Sequence, residues 1–403
     1  MNAPVPPPAM PSLRPEAAEA PSSGIVEVFS YGRDRPGLIP LWVGEGDLPT
    51  PGFIAEAAAR SLAAGETFYT HQRGIPELRR AISAYLGRLY AQDLDPDRFT
   101  ATTGGMHAAQ MAVRLVAGAG DEVLIPTPAW PNFAGAIIVA GAVPVSVPLA
   151  FSAQDGWSLD VERLAAAVTP RTRAIVLNSP ANPTGWTATR DDLEAVLALA
   201  RARGLWIIAD EIYARFAYDP ALLNAQRRTP SFHDVAEPSD RVLYVQTFSK
   251  NWAMTGWRLG WLEAPPALGP TIENLVQYST SGVPVFVQRG GVAALEEGEP
   301  FVEEQIARAA EGRRIVCEGL SATGAVELPA PPGAFYAFLK VRGVTDTRRL
   351  ALDLVDEANV GLAPGTAFGA GAEPFLRLCF ARKAADLEEA VRRLAPVLAR
   401  HAG

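Results

Sequence analysis

From Gly24 onward the chain alternates short runs of apolar, often β-branched residues with longer stretches whose apolar positions recur every three or four residues. That alternation predicts an α/β fold, with strands from the runs and covering helices from the stretches. Strands are expected at Glu122–Ile125, Val143–Val147, Ala174–Asn178, Leu205–Ala209, Val242–Gln246 and Leu259–Leu262. Several are apolar almost throughout, as parallel strands covered on both faces should be. Helical spacing is clear at Thr189–Arg203, where Leu193, Val196, Leu197 and Ala200 fall on one side and Gly204 supplies a C-cap. Another helix is expected after Thr102–Ala108, with Met111, Ala112, Leu115 and Val116 on one side, ending near Gly118.

After about Pro300 the pattern changes: a long charged helix (Phe301–Leu320), a strand (Ala334–Leu339), a helix (Thr347–Ala358), a strand (Phe375–Phe380) and a last helix (Ala384–Ala399). This succession predicts a separate, smaller α+β domain. The stretch Met1–Ser23 is rich in Pro and Ala and has no basic segment ahead of an apolar core, so it reads as a disordered leader rather than a signal peptide.

Composition narrows the picture only modestly. At 403 residues the chain is long enough for two domains, and 48% hydrophobic with 20% charged residues is an ordinary globular balance. A net charge of −8 argues against nucleic acid as a partner. No apolar run approaches the roughly 18 residues of a membrane span. Cys317 and Cys379 are too few and too far apart for a disulfide framework or a cysteine metal site, and a reducing cytoplasm fits best.

The chemistry centres on Lys250, in the run Thr247-Phe248-Ser249-Lys250 directly after an apolar strand, with Arg258 eight positions on. An amine attacks an aldehyde only when deprotonated, so a lysine near other cations in a dry pocket suits imine chemistry. The flanking Thr247 and Arg258 suit the phosphate of an aldehyde cofactor such as pyridoxal 5'-phosphate. By itself the run also reads as a surface lysine closing an α/β turn. Thr102–Ala108 places Gly104 and Gly105 before a helix, where free N–H groups and the helix dipole favour an anion; a plain turn explains the glycines equally. Asn182, within Asn178–Gly185, follows one strand's carboxyl end, the edge where open α/β sheets bind ligands, although turn chemistry accounts for its neighbours. Asp210 ends another apolar strand and is either a paired buried carboxylate or a helix N-cap.

In order, GEGDLPTP, FYTHQRGIPELR, TTGGMHA, PTPAWPNF, NSPANPTG, ADEIY, TFSKNWAMTGWRLG and FLRLCFA run from about Leu41 to Phe380. This set resembles the fold-type I, class I/II aminotransferases that use pyridoxal phosphate. The resemblance implies a large domain over 49–299 with a mostly parallel seven-stranded sheet between helices, and a smaller α+β domain over 300–403 joined by residues 24–48, with 1–23 the leader. It implies that Lys250 holds the cofactor as an imine and, once freed, moves the proton between substrate Cα and cofactor. Asp210 would pair with the pyridine nitrogen, Asn182 and Tyr213 would bond the ring's phenolic oxygen, and Trp130 would stack on the ring. The phosphate would rest on the backbone of Gly105 and Met106 with Thr247 and Arg258, and Tyr69 would reach it from the neighbouring subunit of a homodimer. Arg377 would grip the substrate α-carboxylate with Asn182 and the backbone of Gly44.

Substrates are then an L-amino acid and a 2-oxo acid exchanged by a ping-pong mechanism. Gly46 and Leu48 depart from the Pro and Phe that many members carry in the Gly44–Leu48 loop. Met106 stands where some aspartate-active members have a lysine, which favours a neutral aliphatic or aromatic donor. Trp42, Leu48, Met106 and Trp252 either line an apolar pocket or pack in the core, and His71 and His107 suit loop and helix-cap positions. A lyase or synthase on the same fold is the alternative activity. A non-catalytic sensor is the less favoured one, because Lys250, Asp210 and Arg377 are all retained.

Overall fold

The computed structural model describes residues 13–18, 20, 21 and 23–402. Most of the expected leader lies outside the described residues; within it, Pro15–Ala18 form a single helical turn.

Seven strands make the principal sheet: β1 (Phe99–Thr102), β2 (Glu122–Thr127), β3 (Val143–Pro148), β4 (Thr172–Asn178), β5 (Trp206–Asp210), β6 (Val242–Thr247) and β7 (Gly260–Glu263). Their order is β1-β7-β6-β5-β4-β2-β3, and only β7 runs antiparallel to its neighbours. The apolar runs are buried on both faces because successive side chains alternate. Val123, Ile125, Val176, Ile208 and Val245 enter one core, while Leu124, Ile175, Leu177, Ile207 and Ala209 enter the other. The expected strands are present within one or two residues at each end. β1 was not anticipated: it is four residues long and fully buried.

Helices cover both faces. Arg190–Arg203 is closed at its start by a capping box between Thr189 and Asp192 and at its end by Gly204 in the left-handed conformation. Val285–Glu297, also not anticipated, packs on Gly52–Ala63 and Pro76–Tyr90. Its Gly290 and Gly291 weaken helix propensity but allow close packing, since a Cβ there would come within 2.8 Å of the Trp257 ring and 2.5 Å of Leu259 Cδ2.

Helix Glu299–Ser321 leads to a second sheet: β8 (Val326–Glu327), β9 (Tyr336–Val341), β10 (Ala363–Pro364) and β11 (Phe375–Cys379), in the order β8-β9-β11-β10. Thr347–Glu357 and Ala384–Ala402 pack with it. The amino-terminal segment reaches the same body. Ile39–Pro40 pairs with Val360–Gly361, and the Cys379 amide donates to Leu41 O at 2.9 Å. Trp42 and Trp252, whose placement the sequence left open, are core residues at 1% and 0% exposure. No helix among the described residues is long and apolar enough to cross a membrane.

Candidate active site

The carboxyl ends of the parallel strands converge beside the second sheet. Asn178 and Asp210 are register partners at the ends of β4 and β5, β6 ends at Thr247, and Lys250 follows three residues later. Between these ends and the face of β9 and β11 lies a cavity of about 410 Å³. Lys250, Asp210, Asn182, Tyr213, Thr247 and Arg258 line it from the large sheet's side. Arg377 and Gly44 line it from the other, with Gly105, Met106 and Trp130 completing the wall. Thus eleven of the twelve nominated residues meet in one place. Tyr69 does not: it is 94% exposed and outside the cavity.

The Lys250 amine donates to Gly44 O at 2.7 Å. It lines the cavity, and loss of water pushes it down to about 8, with Arg377 acting in the same direction. A substantial neutral fraction is therefore available near neutral pH, which a nucleophilic or basic amine requires. Asp210 shows the opposite displacement from the same cause. It is 1% exposed, its carboxylate accepts only a 3.3 Å bond from the Ile212 amide among the described residues, and it is pushed up to about 7. A buried carboxylate so weakly partnered suits a cationic group bound against it.

Gly104, at φ +91°, precedes helix Gly105–Val116. A Cβ on Gly104 would sit 2.5 Å from Arg258 Nη2, so the missing side chain is what lets the guanidinium lie against the helix start. Arg258 itself is held at φ +53° and donates to Thr255 O at 2.8 Å. Thr247 Oγ1 lies 2.9 Å from Ser249 Oγ, and both residues line the cavity beside Arg258. A helix start, a guanidinium and two hydroxyls form an anion site suited to a phosphate. His107, in the first turn of this helix, holds the loop before it: its Nδ1 accepts from the Thr103 amide at 3.2 Å, and its Nε2 is 3.2 Å from Ser279 Oγ.

Arg377 is 2% exposed yet has no carboxylate within ion-pair distance among the described residues. Its Nη1 donates to Asn182 Oδ1 at 2.8 Å, its Nη2 donates to Trp42 O, and its Nε has no partner. A buried, unpaired guanidinium facing a cavity suits a planar anion. Trp130, partly buried and edge-on to Phe133, closes another side. Sequence reasoning missed Ile25, Val43, Asn132, Ile212, Val245, Ser249 and Tyr336 as cavity residues. Ser249 could have been found from its place beside Lys250, whereas the others carry no local signal.

The family described as "Aminotransferase class I and II" matches residues 36–394. The chain belongs to that family. It is 35% identical to the aspartate aminotransferase of Thermotoga maritima, over 89% of this chain and 90% of that one. To the probable aspartate/prephenate aminotransferase of Aquifex aeolicus it is also 35% identical, over 90% and 91%. The solved structure of the aromatic aminotransferase of Pyrococcus horikoshii superposes with a TM-score of 0.83 at 34% identity, covering 92% of this chain and 98% of that one. The chain is a transaminase of fold-type I, and its cofactor is pyridoxal phosphate. Bound cofactor supplies an electron sink for the pair left at the substrate Cα.

Proposed function

We propose that this transaminase moves an amino group between a neutral aliphatic or aromatic L-amino acid and a 2-oxo acid in two half-reactions, with Lys250 as cofactor anchor and proton carrier. The observation that carries this reading is the Lys250 amine, desolvated to about 8 in a cavity between Asp210 and Arg377. Arg377 binds the substrate α-carboxylate through the N–H groups left free by Asn182 and Trp42, with the Gly44 backbone beside it. That contact would place the Cα–H near Lys250, whose amine would accept the proton and later give it back. Asp210 would pair with a cationic ring nitrogen of the cofactor, while Asn182 and Tyr213 would donate to its ring oxygen. Trp130 would pack against the ring. Gly105, Met106, Thr247 and Arg258 would hold the phosphate.

The preference for a neutral donor follows from the remaining wall. Ile25, Val43 and Met106 are apolar, and the cations lining the cavity are Lys250, Arg258 and Arg377, each already assigned. Among the described residues no further cation lines the cavity to meet a distal carboxylate. We assign the cofactor body to residues 49–299 and the smaller domain to 24–48 with 300–403, the division at which helix Glu299–Ser321 begins. A homodimer is the working unit, supported by the exposed Phe68, Tyr69 and Tyr278 at 84%, 94% and 88%. Two buried free thiols, Cys317 and Cys379, favour a reducing cytoplasm.

The test is a screen of single amino donors against the holoenzyme by absorbance, with no 2-oxo acid present. Phenylalanine, leucine and their like should convert the cofactor fully at lower concentration than aspartate. An advantage for aspartate overturns the donor assignment, and ammonia release without an acceptor overturns amino transfer in favour of elimination.

A further inference from the structure

Tyr213 and Tyr336 are buried at 1% and 0% exposure, and their hydroxyl oxygens lie 2.7 Å apart. Tyr213 follows the end of β5 and Tyr336 opens β9, so this hydrogen bond joins the two sheets. Antiparallel register sets Tyr336 opposite Cys379 and Phe338 opposite Arg377, which makes Tyr336 and Arg377 diagonal neighbours on one face. The Arg377 guanidinium carbon is 4.7 Å from the centre of the Tyr336 ring and 4.9 Å from that of Phe368, held between two aromatic surfaces. Tyr336 also abuts the backbone that faces Lys250: a Cβ on Gly44 would come within 2.1 Å of its hydroxyl. Among the described residues Tyr213 is the only hydrogen-bond partner of that hydroxyl.

We infer that Tyr336 is a positioning residue for the reaction: its hydroxyl donates to the Tyr213 oxygen and strengthens Tyr213 as a donor toward the cofactor's ring oxygen, while its ring sets the plane of Arg377. The inference rests on the role proposed above for Tyr213. Each phenol has one proton. When Tyr213 turns its proton into the cavity, only Tyr336 can donate across the 2.7 Å pair. A bond received by the Tyr213 oxygen polarises its own O–H, since hydrogen bonds in a chain reinforce one another. Tyr213 then draws more negative charge from the ring oxygen, and the nitrogen of Lys250 joined to the cofactor holds its proton less firmly. The ring contributes separately by denying Arg377 any other orientation.

The experiment is a pH titration of the holoenzyme's visible absorbance for Tyr213→Phe, Tyr336→Phe and the double variant. Tyr213→Phe should move the midpoint upward. Tyr336→Phe should move it the same way by about half a pH unit, the scale of one net hydrogen bond. The double variant should go no higher than Tyr213→Phe alone, because Tyr336 acts through Tyr213. A shift in Tyr213→Phe with none in Tyr336→Phe overturns the inference, and so does full additivity in the double variant. No shift in Tyr213→Phe sinks the assignment of Tyr213 instead. Tyr336→Phe keeps the ring and should leave KM for the amino donor within about twofold, whereas Tyr336→Leu should raise it by about tenfold, the cost of a lost ring–guanidinium contact. Equal KM values in these two variants overturn the role assigned to the ring.

Discussion

Arg377 Nη1 donates to Asn182 Oδ1 at 2.8 Å, so the guanidinium that would meet the substrate is oriented by a residue of the large sheet's edge. The pair couples the second sheet to the cofactor body at the point where both substrate and ring must be placed. Arg377→Lys keeps the charge but loses the planar fork and its seat between Tyr336 and Phe368. The expected result is a fall in kcat/KM of about 100-fold, mostly through KM, with cofactor absorbance unchanged. A loss confined to kcat would show that Arg377 does not act in ground-state binding.

Lys250→Ala removes the amine that lies 2.7 Å from Gly44 O. Turnover should drop by about 10⁴-fold, the upper end of what a positioned acid–base group contributes. Binding of the cofactor should persist, held by the Arg258 and Gly105 region and by Asp210. Equilibrium dialysis checks the second half: complete loss of affinity would mean that the noncovalent cradle has been overvalued.

Asp210 gives a stability test in the apoprotein. Its folded value is raised from the ordinary carboxylate range to about 7. The fold thus binds a proton that the unfolded chain has released, and the associated stability is full below about pH 4 and is lost as pH rises through about 7. Asp210→Asn cannot acquire the buried charge. It should leave apoprotein stability almost unchanged at about pH 3.5 and raise it by on the order of 1–4 kcal/mol at about pH 8. Denaturant titration at the two pH values checks this, and an equal effect at both would remove the desolvated carboxylate from the explanation. In the holoenzyme the same variant should be severely impaired.

The strands were legible because β2, β4, β5 and β6 are buried on both faces and therefore apolar at consecutive positions. Polar residues at their carboxyl ends, Asn178, Asp210 and Thr247, stood out against that background. Helix Val285–Glu297 did not, since Gly290 and Gly291 serve Trp257 and Leu259 rather than local propensity. Tyr336 was hidden for another reason. In Phe335-Tyr336-Ala337-Phe338 a tyrosine is one aromatic in a core strand, and its meaning comes from Tyr213, 123 positions away. A side chain whose role is set by a tertiary contact carries no local mark.

The exposed Tyr69 yields a prediction about shared sites. Tyr69 is 94% exposed and lies outside its own chain's cavity, and Phe68 and Tyr278 are nearly as open. If it serves the neighbouring chain's phosphate, Tyr69→Ala should weaken cofactor affinity by about tenfold, one charge-assisted hydrogen bond's worth. A mixture then discriminates a shared site from a private one. In a mixed dimer of Tyr69→Ala and Lys250→Ala chains, one site carries both lesions and the other carries neither. Subunits exchanged at limiting cofactor should therefore recover activity beyond the sum of the two separate preparations. With Tyr69 acting within its own chain, every site keeps one lesion and no recovery occurs. Sedimentation of the wild-type protein supplies the independent check, with an expected mass twice the chain's 42.9 kDa.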